Sequence, residues 1–246
     1  GTGFTGTGQV GGGTLSVNGN FGNANFVVDP GGTLGGAGTV GDTNVNGGTL
    51  APGNSIDTLT VNGDISFTAA SVYEVEVNAA GESDLLQATG TATLGGAAVE
   101  VIAESGVYRP LTDYTILTAD GGVSGTFGSV ETNLAFLDPS LIYSADAVTL
   151  RLVRNDLDFS AMGRTPNQVA VGNLIESLGF GNVLYDETLS LVVDDVAVSF
   201  ASLTGEVYPA YGAALIETAE VLRRQTADAA QGEGGFAWAT GLYNSV

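Results

Sequence analysis

The sequence predicts an all-β fold: a parallel β-solenoid with a β-rich cap, followed by C-terminal helices and a final strand. Three observations lead to this prediction. A Gly/Thr/Leu repeat runs through residues 1–64, and glycine reaches 38 of 246 residues while proline stays at 6. After Asn155 the apolar period changes from that of strands to that of helices.

The repeat predicts the solenoid. Two motifs recur, Gly-Gly-Thr-Leu at 12–15, 31–34 and 47–50, and Val-Asn-Gly at 17–19, 45–47 and 61–63. Successive Gly-Gly-Thr-Leu copies start 19 and then 16 residues apart, which suits a coil of about three short strands. Glycine and asparagine reach the positive φ that corners require. We therefore expect stacked parallel coils over 1–64. The leucines expected in their continuous core are Leu15, Leu34, Leu50 and Leu59.

Residues 65–156 carry longer strand patterns and are expected to form the last coils and the cap. Ser71–Val77 alternates between apolar and polar residues, and Asp120-Gly121-Gly122 is typical of a turn. Further strands are expected at Ala97–Ala103, Tyr114–Thr118 and Val148–Val153. We expect this region to be the most stable part of the solenoid because aromatic side chains add buried area. These are Tyr73, Tyr108, Tyr114, Phe127 and Phe136.

Residues 157–230 are expected to form a helical linker. Thr165-Pro166-Asn167-Gln168 predicts a helix start, with Thr165 as N-cap and Gln168 completing a capping box. The expected apolar stripe of this first helix is Val171, Leu174, Ile175 and Leu178, with Gly179 after its end. A second helix is expected to present Leu189, Val193, Val196, Phe200 and Leu203 on one face and to end near Gly205.

A third helix is expected from about Pro209 to Ala230, with Glu220 and Arg224 as an i,i+4 ion pair. Residues 231–235 then form a flexible joint. Over 236–246 the chain alternates again, with Phe236, Trp238 and Leu242 on one side of a strand.

The charge balance limits the partners and the chemistry. The chain carries 27 acidic residues against 6 basic ones, has no histidine, and has a formal net charge of −21. Without a basic patch, we expect no nucleic-acid binding. Without histidine, lysine or cysteine, the usual activated nucleophiles and zinc ligands are missing, so we expect no enzyme activity, no cofactor and no metal site.

Motifs in a fixed order resemble the passenger-associated repeat of bacterial autotransporters. They are Gly36–Gly41, Gly47–Ile56, Leu59–Asp64, Ser83–Leu86, Tyr114–Leu117, Thr165–Gln168, Leu203–Glu206 and Ala214–Glu217. Phe236-Ala237-Trp238 is similar to the start of the family's barrel. The resemblance covers nearly the whole chain and implies a right-handed, pertactin-like parallel β-helix that crosses the outer membrane of a Gram-negative bacterium.

The resemblance also implies a function and partners. It indicates a surface-displayed or secreted stalk, adhesin-like, whose C-terminal coils (65–156) aid folding and translocation as an autochaperone region. Its implied partners are its own outer-membrane β-barrel, the barrel-assembly machinery and surfaces of host or neighbouring cells. We expect the third helix to run through the pore of that barrel, and 236–246 to begin the barrel's first strand.

Two alternatives stay open, a β-helix enzyme acting on a polysaccharide and a surface-layer or appendage subunit. For the enzyme, the candidate carboxylates are Glu74 and Glu76, which share a strand face at roughly 7 Å, a spacing that glycosidases can use. Asp194-Asp195 is a second acidic pair, expected on the polar side of a helix, and Trp238 could stack on a sugar. An enzyme requires several acids to converge in one groove, whereas a stalk spreads them over its faces.

Overall fold

The computed structural model describes residues 3–205 together with 217, 219–221, 223 and 224. Within them, nineteen strands form three sheets, named A, B and C here. Sheet A contains, in spatial order, β1 (Thr7–Val10), β4 (Asn25–Val28), β7 (Thr43–Val45), β10 (Ile65–Phe67), β13 (Ala92–Thr93) and β16 (Val123–Ser124). Sheet B contains β2 (Gly13–Ser16), β5 (Gly32–Gly36), β8 (Thr49–Pro52), β11 (Val72–Val77), β14 (Ala98–Ala103) and β17 (Ser129–Thr132). Sheet C contains β3 (Asn20–Phe21), β6 (Thr39–Val40), β9 (Thr58–Val61), β12 (Leu85–Ala88), β15 (Asp113–Ala119), β19 (Ala147–Arg154) and β18 (Leu137–Tyr143).

Successive strands from β1 to β18 visit the three sheets in turn, and each strand from β1 to β14 pairs with the strand three places later in the chain. We call one passage through A, B and C a coil. All pairs in sheets A and B are parallel, and sheet C ends in the antiparallel pairs β15–β19 and β19–β18. The expected all-β class with mostly parallel sheets and few helices is confirmed.

One in-register ladder shows how the core is built. Across sheet B the stacked residues are Leu15, Leu34, Leu50, Tyr73, Val99 and Val130. Leu34, Leu50 and Leu59 are fully buried, as predicted. Leu15 is not, because β2 is the edge strand of its sheet in the described structure and leaves this side chain 39% exposed. The predicted aromatic core residues of 65–156 are all buried.

The corner between sheets C and A brings backbones of neighbouring coils into close contact. Asp42 Oδ1 accepts the Asp64 N–H at 2.9 Å, and Asp64 Oδ1 accepts the Thr91 N–H at 2.7 Å, so carboxylates link three successive coils. The hydrogen bonds from Thr91 lower the pKa of Asp64. Gly90 lies beside this link, where a Cβ would overlap Asp64 Oδ1 and lie 2.7 Å from the Gly63 carbonyl oxygen. Because the neighbouring coils lie this close together, only glycine fits at position 90 without steric overlap.

A cap and three helices follow the last coil. The helices are α1 (Pro166–Leu178), α2 (Val183–Leu189) and α3 (Val193–Thr204), preceded by a 3-10 turn at Phe159–Met162. The main chain between α2 and α3 pairs with the segment after β17: Ala135 N–H donates to the Leu191 carbonyl and Val193 N–H to the Asn133 carbonyl, both at 2.9 Å. This pairing attaches the helices to the stack.

An aromatic cluster with one arginine joins the cap to the helices. The Phe159 ring lies 4.7 Å from that of Phe136 and 5.0 Å from that of Tyr185, both in edge-to-face geometry. The Arg154 guanidinium lies 4.9 Å from the Phe159 ring centroid and donates to the Leu157 carbonyl at 2.8 Å and to Glu176 at 3.4 Å. Glu176 in turn accepts the Phe159 N–H at 3.0 Å. Arg154 thus connects β19 with α1.

The first helix begins and ends as predicted but buries only part of its predicted stripe, with Ile175 fully buried and Val171 half-buried against the core. Thr165 accepts the Gln168 N–H at 3.2 Å, and Gly179 ends the helix with φ 72°. Leu174 and Leu178 are 61% and 41% exposed, which corrects the predicted stripe. The buried residues are Gln168, Gly172 and Ile175. Gly172 decides the face, because it lets α1 approach the backbone of Ser160, where a Cβ would lie only 2.6 Å away.

The predicted second helix is two helices. Leu189 belongs to α2, while Val196 and Phe200 form the buried face of α3, and Val193 and Leu203 are 50% and 46% exposed. The break lies where residues 190–192 leave the helix to pair with the segment after β17, so tertiary pairing overrides helical periodicity. Gly205 ends α3 in the left-handed conformation (φ 67°), at the predicted end.

The predicted third helix falls mostly outside the described residues. Its described positions are helical, and Arg224 lies 3.7 Å from Glu220, which confirms the predicted i,i+4 pair. The predicted joint at 231–235 and the strand over 236–246, with Trp238, lie outside the described residues. Within the part of the chain that the structure describes, no helix is long and apolar enough to cross a membrane.

Candidate functional site

The outer face of sheet B gathers acidic side chains. Glu74, Glu100 and Glu131 occupy the same register position on β11, β14 and β17, so each faces its neighbour across about 4.8 Å of strand spacing. Like charges in directly opposed positions are destabilising. Partial burial, followed by the charges of Glu100 and Glu76, raises the pKa of Glu74.

A buried carboxyl group lies next to this face. Asp84 is 1% exposed. Its Oδ2 accepts the Glu76 N–H at 2.8 Å, and its Oδ1 accepts the Asp57 N–H at 3.0 Å. Burial raises the pKa of Asp84 to about 7, and the charges of Glu76 and Glu74 act in the same direction against the two backbone hydrogen bonds.

A hairpin at the end of β11 positions Asp84. Asn78 N–H donates to the Glu82 carbonyl at 3.0 Å and Val77 forms an antiparallel bridge with Ser83, so the chain reverses and runs back along β11. The Asp84 N–H then donates to the Glu76 carbonyl at 2.9 Å. This returns the carboxyl group to the corner formed by residues 53–57.

Sequence reasoning did not single out Asp84 for chemistry. Asp84 is part of Ser83–Leu86, a motif that resembles the autotransporter family, and no chemical role was predicted for it. One signal was available: residues 1–108 contain no basic residue, so an aspartate directly before the apolar Leu85-Leu86 has no cation nearby in sequence. What could not be read from the sequence is the hairpin that turns its side chain inward.

The candidate catalytic pair lies on sheet B, and neither glutamate lines the depression along sheet A or the one beside β17 and β18. Glu74 and Glu76 are half-buried on the outer face of β11. A shallow depression of about 370 Å³ lies instead along sheet A, where its acidic lining residues are Asp42 and Asp64. Both of those carboxylates accept N–H groups from the next coil, so they act in the stacking. The carboxylates of the described structure are thus divided between the row of Glu74, Glu100 and Glu131 on sheet B and corner residues such as Asp42 and Asp64, which bind the next coil.

The other candidates have structural surroundings. Asp194 and Asp195 are exposed in the first turn of α3, where negative charge favours the helix N-terminus. Within residues 3–205 and the six described helical positions, no group of three or more acidic side chains is placed to hold a metal ion. Trp238 lies outside the described residues.

Comparison with known proteins identifies secreted relatives. No protein-family model matches the chain. Over 176 residues the chain is 35% identical to one extracellular serine protease of Serratia marcescens and 29% identical to another. The match takes in 68% of this chain and 17% of each relative, so the chain spans about one sixth of the proteins it matches. The chain is therefore homologous to part of a much longer extracellular protein.

These relatives correct one expectation. The sequence analysis expected no enzyme, but both similar proteins are named as serine proteases, and that expectation is wrong. The absence of histidine and lysine constrains only the chemistry that these 246 residues can complete among themselves. It carries no information about the protein to which such a segment belongs.

Proposed function

We propose that the chain is part of the passenger of an autotransporter related to extracellular serine proteases, in the form of a right-handed, pertactin-like parallel β-helix. The observation that carries the proposal is the pairing of each strand from β1 to β14 with the strand three places later, across three sheets. Such coils contact only their neighbours, so the chain can add them one at a time as it emerges from a narrow pore. Homology to extracellular proteins supports export.

The proposed role of 65–156, with the helices of 157–205, is to start that folding, in the manner of an autochaperone region. The support is energetic. The strands β11, β14, β15, β18 and β19 have six to eight residues, and the Arg154 cluster fastens the helices to the last strands. A template of this kind removes the nucleation cost for each coil added on its open side. The protease activity of the whole protein is proposed to depend on residues outside this chain.

The proposed partners follow from the same assignment. They are the protein's own outer-membrane barrel, which 236–246 would enter as a first strand, the barrel-assembly machinery, and surfaces of host or neighbouring cells contacted by an adhesin-like stalk. The acidic surface, at a net charge of −21, keeps such a stalk soluble and extended outside the cell.

A segment exchange tests the proposed function. In the Serratia protease that is 35% identical, the matching 176 residues are replaced by those of this chain, and protease activity in the medium is measured. We expect active protease in the medium at a level within a few-fold of the parent protein. Intact protein retained in the periplasm or at the pore would contradict the proposal.

A matched pair of substitutions on one strand controls the exchange. Leu86 is fully buried and its neighbour Gln87 is exposed, both on β12. We expect Leu86→Asp to abolish export of the chimera because a charge is forced into the core, and Gln87→Asp to leave it unchanged. Equal export of both variants would show that the folded coils are not needed.

A further inference from the structure

The surroundings of Asp84 differ from those of an ordinary buried carboxylate. Buried charges are normally paired with an opposite charge. Here no basic residue occurs in 1–108, and none of the ion pairs in the described residues involves Asp84. The titratable groups that face it are Tyr73, Glu74 and Glu76 from β11. From the other side, Asp57 contributes only its backbone N–H.

Asp84 also links two neighbouring coils through its hydrogen bonds. Its two oxygens join two different coils, since Asp57 precedes β9 while Glu76 belongs to β11 of the next coil. The adjacent Leu85 N–H donates to the Asp57 carbonyl at 3.0 Å. Gly53, with φ 85°, packs against Asp84 so closely that a Cβ would lie 2.8 Å from its Oδ1. The corner at 53–57 is therefore held in place by contacts with the Asp84 carboxyl group.

We propose that Asp84 is a proton-operated clasp, which holds the 53–57 corner against β11 most firmly in acid and loosens it as the pH rises through neutrality. When Asp84 is protonated, its burial costs less and its repulsion with Glu74 and Glu76 disappears, and these gains outweigh the weaker hydrogen bonds that a neutral carboxyl group accepts from the two N–H groups. When it ionises, the buried charge has two N–H donors but no counter-ion. The proposal concerns this corner alone and stands independently of the proposed function.

The direction of the pH effect follows from linkage. The folded pKa of about 7 lies above the ordinary value of 3.8, so the folded state binds the proton more tightly than the unfolded state does. The stability contributed by this group is complete below the ordinary value. It is lost as the pH rises from about 4 to about 7.

The test uses the full chain and measures the group and the corner separately. The Asp84 carboxyl carbon is titrated by NMR, and hydrogen exchange of the Asp57 and Glu76 amides is followed at pH 5 and pH 8, corrected for intrinsic rates. We expect a titration midpoint near 7 and an opening equilibrium that rises roughly tenfold or more between these two pH values. Asp84→Asn, which cannot ionise, should show nearly equal opening at both.

Asp57→Asn is the matched control, because its exposed carboxylate only accepts the neighbouring Thr58 N–H, at 2.7 Å. It should keep the pH dependence of the wild-type chain. A midpoint for Asp84 at or below 4.5 would overturn the proposal, as would unchanged pH dependence in Asp84→Asn. If Asp84→Asn fails to fold, the wild-type titration and exchange decide alone.

Discussion

Replacing two leucines of one ladder by alanine tests whether the stability that each leucine contributes depends on its place between neighbouring strands. Leu15 and Leu50 occupy the same register position of sheet B, two strands apart, with Leu34 between them. Leu50 is fully buried between neighbours on both sides, whereas Leu15 lies on the edge strand and is 39% exposed. Any difference between the two substitutions therefore reports burial, because residue type and strand position are matched.

Leu50→Ala should cost about 3–4 kcal/mol, because transfer of the lost methyl groups and the cavity left behind add together. Leu15→Ala should cost about 1 kcal/mol, since solvent fills the space. Urea unfolding followed by far-UV circular dichroism measures both, with equal slopes required for the comparison. Equal costs would refute the reasoning, because Leu15 would then be as fully packed as Leu50.

Two further matched pairs test the corners and the cap. Gly90→Ala should destabilise the chain by about 2–3 kcal/mol, because the new Cβ overlaps the Gly63 backbone. Gly12→Ala is the control: nothing lies within 4 Å of its Cβ, so it should change stability by about 0.5 kcal/mol or less. Similar losses of stability in the two variants would contradict the close stacking. Arg154→Met should cost about 2 kcal/mol and increase hydrogen exchange in α1, because it removes the contacts to Phe159 and Glu176. Arg151→Met, which removes only the exposed pair with Asp113, should cost less, and the reverse order would contradict the cluster.

Local sequence patterns predicted these strands because each coil repeats the same alternation of apolar and polar residues between its corners. The strands expected at 71–77, 97–103, 114–118 and 148–153 match β11, β14, β15 and β19 to within two residues at each end. In stacked coils each residue lies beside the equivalent residue of the neighbouring coil. The alternation along one strand is therefore enough to predict which of its faces is buried.

Non-local contacts account for what the sequence did not predict. The exposed Leu174 depends on the close approach that Gly172 permits, and the break between α2 and α3 depends on main-chain pairing with residues about 60 positions earlier. The candidate site shows the same limit. Glu74 and Glu76 were predicted to share one strand face from alternation alone, but Asp84 reaches its buried position only through a hairpin.

The central claim, parallel coils stacked along one axis, is tested most directly by distances between spin labels on a single ladder. Thr14, Ala98 and Ser129 share one register position of sheet B, on β2, β14 and β17. The chain has no cysteine, so labels attach only where cysteine is introduced. Four and five strand spacings separate the pairs, which predicts about 19 Å for 14–98 and about 24 Å for 14–129. A 14–129 distance no longer than the 14–98 distance would contradict the stacked coils.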